Sequence, residues 1–112
     1  MLLSSHSNVY NTCLRILNKK GFVLKIEEYD DENEVYETLW IAEKNGAVFK
    51  ADNPIELLGL TSVYEFVDPK EDKSYWWTVK GEDIWDELSE HKIYDKNINN
   101  TKLKIKTNDI SL

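Results

Sequence analysis

The chain has a single cysteine, two prolines, four glycines and two histidines in 112 residues. Nowhere does an apolar run approach the ~20 residues that span a bilayer. Cys13 alone excludes an internal disulfide, so nothing ties the fold to an oxidising compartment. With His6 and His91 as the only other soft ligands, no ligand set has the spacing of a zinc site, and neither metal nor cofactor is expected. The glycines at 21, 46, 59 and 81 are isolated, which excludes a Gly-rich phosphate loop. The acidic segment Asp30-Asp31-Glu32-Asn33-Glu34 lacks the glycine and distal glutamate of an EF-hand and reads as a polar loop. Met1-Leu2-Leu3, followed by Ser4-Ser5-His6-Ser7, has neither the basic region nor the long apolar stretch of a signal peptide. A cytoplasmic protein without membrane association is the expectation.

Positive charge is scarce where it would matter for nucleic acid. Residues 27–95 hold 20 of the 21 Asp and Glu residues and only six lysines, while both ends are mildly basic. An acidic body repels phosphate backbones and steers basic partners. It also keeps a small protein soluble, and that alone would explain a net charge of −7. Aromatics are plentiful at 12%, with four Trp, and with 41% hydrophobic residues the composition is that of a globular protein with one core. We read residues 1–96 as one domain and 97–112, with its Lys102-Leu103-Lys104-Ile105-Lys106 alternation, as a tail or edge strand.

Periodicity gives the elements. From about Ser5 to Lys20, Val9, Tyr10, Cys13, Leu14, Ile16 and Leu17 share one helical arc, with Gly21 as the stop. Phe22, Leu24 and Ile26 alternate as one strand and Val35 to Lys44 forms a second. Asn45-Gly46 marks a type I′ hairpin into a third, Ala47 to Ala51. Asn53, Pro54 and Glu56 open a second helix that runs to about Val67 before Asp68-Pro69. Its apolar residues cover more than half of the circumference; Leu57, Leu60 and Tyr64, with Leu14 of the first helix, are expected in the core, and Leu58 on the polar side under the cover of the 69–77 loop. Gly59 suggests a close backbone approach. Tyr75 to Val79 reads as a short strand, and Glu82 to His91 as a third helix. The order α-β-β-β-α-(β)-α implies an α+β fold, a three- or four-stranded antiparallel meander with helices mainly on one face.

Two surface features stand out. Asp83, Asp86, Glu87 and Glu90, with Glu82, occupy an arc of about 140° on the third helix, and no lysine four residues away offsets them. The bland alternative is a solvated helix face. Tyr75, Trp76 and Trp77 place adjacent large rings on opposite sides of an extended chain, so not all of them enter one core; an exposed ring is a typical interface anchor. Cys13 and His6 fall on the same arc of the first helix, yet Cys13 reads more simply as a small buried hydrophobe. No catalytic residues are assigned.

The segment Ala51-Asp52-Asn53-Pro54-Ile55-Glu56-Leu57-Leu58-Gly59-Leu60, with Tyr75-Trp76-Trp77 downstream, resembles a pattern in small bacterial proteins of unassigned function. In size and acidity the chain resembles immunity proteins that neutralise toxin domains. That resemblance implies a non-enzymatic protein of the immunity or inhibitor kind and carries over no functional residues; the acidic stripe and the aromatic run themselves point to a binding protein that meets a basic protein partner. Two alternatives stay open. One is a small-molecule-binding or enzymatic domain with a pocket near Trp40, Trp76 and Trp77. The other is a homo-oligomer, a homodimer in the simplest case, joined through an exposed sheet edge.

Overall fold

Gly21 fixes where the first helix ends and the core begins. In the computed structural model, which describes residues 1–30 and 36–94, α1 spans Tyr10–Lys19 after a 3₁₀ turn at Ser7–Val9. Gly21 has a φ of +93°; its N–H donates to the Asn18 carbonyl at 3.0 Å, and the Phe22 N–H donates to the Leu17 carbonyl at 3.1 Å. This pair of bonds is a Schellman stop, and it delivers Phe22 into the core. The start differs from the sequence reading. None of the N-terminal serines caps α1, because the chain enters through the 3₁₀ turn behind an extended His6. Within α1, Cys13 and Leu17 are buried, Leu14, expected in the core, is only half-buried, and Ile16 is 36% exposed.

Three antiparallel strands follow in the order β1-β2-β3: β1 Val23–Asp30, β2 Tyr36–Lys44 and β3 Ala47–Ala51. Asn45 and Gly46 have φ of 51° and 84°, the left-handed pair that a type I′ turn requires. Val23 lies opposite Glu43 and Leu24 opposite Ala42; Ala42 in turn faces Phe49, and Trp40 faces Ala51. The register puts Leu24, Trp40, Ala42, Phe49 and Ala51 on one face, where they pack with Leu17, Phe22 and Leu57 as the core. Helices α1 and α2 therefore cover the same face. On the other face Ile41 is buried, in register between Lys25 and Lys50.

Helix α2 spans Pro54–Val67. Asn53 caps it, its Oδ1 accepting the Glu56 N–H at 2.9 Å, and Pro54 takes the first position where a missing N–H costs nothing. Asp68, in left-handed conformation with φ 49°, ends it by donating its N–H to the Tyr64 carbonyl. Replacing Asn53 by alanine therefore lowers stability by about 1 kcal/mol in thermal unfolding. Lys20 pairs with Glu65 at 2.7 Å, joining the end of α1 to α2, and Lys44 Nζ donates to the Lys20 carbonyl near the negative pole of α1.

The buried stripe of α2 is Pro54, Leu57 and Thr61, with Leu58 and Tyr64 partly buried beside it. This stripe departs from the sequence reading. Leu60, expected in the core, is 42% exposed; Leu58, expected on the polar side, packs against the core. Thr61 is fully buried, because its hydroxyl donates to the Leu58 carbonyl at 2.9 Å and so leaves no unpaired polar atom. The helix carries two apolar stripes, and the core takes only one. Gly59 is likewise not a close contact: an added Cβ would meet nothing within 4 Å. Gly59→Ala consequently raises stability by about 0.5–1 kcal/mol, the helical cost of glycine being removed without a clash. A loss of stability on chemical denaturation would contradict this.

The expected strand at 75–79 does not form. Tyr75 adopts φ 60° and its carbonyl accepts the Thr78 N–H at 3.1 Å, so the segment is a turn and the sheet has three strands among the described residues. The chain divides into two compact units, Met1–Thr78 and one beginning at Val79. The second holds α3, Ile84–Glu90, shorter than the expected 82–91 because Asp83 sits outside it as the cap. Residues 31–35 of the acidic loop and second strand, and the expected tail at 97–112, lie outside the described residues.

Candidate protein-recognition surface

A column of rings links the core to the surface of the first unit. Phe22 meets Phe49 edge-on at 6.2 Å between centroids, Phe49 meets Tyr64 at 5.2 Å, and Tyr64 meets Trp76 at 5.7 Å. Trp76 then contacts Trp77 at 5.8 Å, and Trp77 contacts Tyr75 at 5.6 Å. Edge-to-face pairs of this kind each add about 0.5–1.5 kcal/mol beyond area burial. The outer two rings gain little shelter from it: Tyr75 is 72% exposed and Trp77 52%. Trp76 is the anchor, partly buried against the core, and the turn around it presents Tyr75 and Trp77 to solvent. The sequence alternation correctly implied that the three rings divide between core and surface, although a turn and not a strand divides them.

Tyr75 is the unusual residue. A bulky side chain at positive φ costs roughly 1–2 kcal/mol, and glycine would avoid that cost. Strained backbone at an exposed aromatic pair is the kind of feature that persists at ligand clamps and binding sites. Beside the turn lies a cleft of about 410 Å³, walled by Gly46, Val48 and Phe49 of the hairpin, Tyr64 of α2, and Asp72 and Trp76 of the following loop. Trp76 lines this cleft, whereas Trp40 and Trp77 do not. Lys70, also on its rim, is paired with Asp68 at 2.7 Å.

In the second unit, Asp83 accepts the Asp86 N–H at 2.9 Å and caps α3. Asp86 and Glu87 occupy the first turn, where carboxylates complement the helix dipole, and Glu90 stands at the last position, where they do not. All four carboxylates are exposed, and among the described residues none of them pairs with a lysine or arginine. The apolar side of α3 is open as well, with Trp85 83% exposed beside Ile84 and Leu88. An apolar face on a helix of seven residues is the signal that marks Trp85.

Cys13 is buried and forms no hydrogen bond with the exposed His6. Among the described residues no three His, Cys, Asp or Glu side chains converge as metal ligands would, and no helix is long and apolar enough to cross a membrane. Comparison with protein-family models, with curated proteins and with solved structures finds no match.

Proposed function

We propose that this is a non-enzymatic binding protein, of the immunity or inhibitor kind, that takes a basic protein partner through Tyr75, Trp77 and its acidic surface. The observation that carries this reading is the turn at 75–78. It holds two large rings in solvent, at the expense of a left-handed tyrosine, on an anchor built into the core. Exposed aromatic anchors on a rigid base are what dominate protein interfaces energetically. In the second unit, taken by itself, the exposed carboxylates of Asp83, Asp86, Glu87 and Glu90 carry the charge that steers a basic partner, an effect chiefly on association rate.

The test uses purified full-length chain as bait for extracts of its source cell. The proposal expects a cationic protein enriched on the wild type at low salt and lost from the Tyr75→Ala, Trp77→Ala double variant. Equal recovery on both baits would remove the aromatic turn from the interface. Once that partner is purified, Asp83→Asn, Asp86→Asn and Glu90→Gln together slow its association and flatten the salt dependence, since screening acts over about 10 Å at 0.1 M. Asparagine still caps α3, so the fold is retained. Association at the wild-type rate at every salt concentration would make the stripe a solvated face.

A further inference from the structure

β1 is an edge strand that matches itself. Among the described residues no strand pairs with its outer side, and Val23, Ile26 and Tyr29 are exposed along it, Ile26 at 55%. The direction of its peptide groups follows from the hairpin. A two-residue turn makes Lys44 and Ala47 a hydrogen-bonded pair, and the antiparallel alternation then turns Trp40 and Ala42 towards β3 and Leu39, Ile41 and Glu43 towards β1. Glu27, Lys25 and Val23 bond those three, so the N–H and C=O groups of Leu24, Ile26 and Glu28 point outward.

We infer that two copies of this chain join antiparallel through β1, with Ile26 opposite its own copy on the twofold axis, to make one continuous six-stranded sheet. An isologous pair about an axis normal to the sheet keeps each residue on its own face, so only residues of equal parity lie opposite. Centring on Ile26 puts Lys25 opposite Glu27 twice, Val23 opposite Tyr29 twice, and Leu24 opposite Glu28. The neighbouring registers fail on charge. Centring on Glu27 stacks that carboxylate on itself. Centring on Lys25 opposes two ammonium groups and shortens the overlap to Val23–Glu27. Opposite charges directly across an antiparallel pair are favourable and like charges unfavourable, so the sequence of β1 selects one register. Lys25 already lies 3.2 Å from Glu43 on the same face, and in the dimer it stands between Glu43 of its own chain and the Glu27 of the second copy.

Charge reversal tests this with full-length protein in sedimentation velocity. The wild type dimerises reversibly. Lys25→Glu gives an edge carrying only acid at these positions and Glu27→Lys one carrying only base, so each variant alone dissociates about tenfold or more readily. Mixed in equal amounts, the two variants form a heterodimer, because each acidic edge then faces a basic one. That rescue also shows both variants to be folded. A wild type that stays monomeric across the accessible concentration range overturns the inference. So do single variants that dimerise as well as the wild type, and so does a mixture that remains monomeric.

Discussion

Leu57→Ala lowers the free energy of unfolding by about 2–5 kcal/mol, while Leu60→Ala, three residues along the same helix, lowers it by under about 1 kcal/mol. Leu57 is fully buried among Leu17, Phe22, Phe49 and Ala51, so its truncation removes transfer energy and leaves a cavity bounded by both helices and the sheet. Leu60 lines a shallow groove with Val63, Ala51 and Leu39 and is 42% exposed, so its truncation removes less buried surface and opens no enclosed cavity. The two residues are chemically identical and lie in one helix, so helix propensity cancels and the difference reports burial alone. Denaturant titration of both variants gives the comparison. Equal losses would place Leu60 in the core and move the buried stripe of α2 by a whole residue.

Loss of the outer rings has the opposite signature. Tyr75→Ala with Trp77→Ala lowers affinity for the partner by about thirtyfold or more, equivalent to about 2 kcal/mol, the scale of an interface hot spot. The same change costs the monomer under about 1.5 kcal/mol, because only the contacts of two exposed rings with each other and with Trp76 are removed. Tyr75→Gly sharpens the contrast. It relieves the left-handed strain and leaves stability equal or higher, yet it removes the ring and so still weakens binding. Trp76→Ala behaves as a core substitution, since Trp76 carries the contact with Tyr64 that ties the turn to α2. A double variant that binds as tightly as the wild type would show the rings to be spectators.

What was legible in the sequence was set by local chemistry. Asn45-Gly46, Asn53-Pro54 and Gly21 each specify a backbone geometry within two or three residues, and each forms in the expected place. The alternation along β2 places Trp40 and Ala42 on one face and Leu39 and Ile41 on the other. The burial of α2 was not legible, because Leu57, Leu60, Val63 and Phe66 are all apolar and the pattern does not say which stripe meets the sheet. Thr61 decides it: its hydroxyl is satisfied within its own helix, so it enters the core as readily as valine. Tyr75–Trp77 has the composition of a strand, and only the left-handed Tyr75 and the bond from the Thr78 N–H make it a turn. The acidic residues of α3 were readable as exposed. Their cap was not, because one-residue shifts in helix start lie below the resolution of periodicity.

The most direct test of the recognition surface is amide hydrogen exchange on the purified complex, read residue by residue against the free protein. The account predicts slowed exchange at residues 74–78 on partner binding, with the amides of β2 at the sheet centre unchanged. Slowed exchange confined to other segments, with residues 74–78 exchanging as in the free protein, would contradict it.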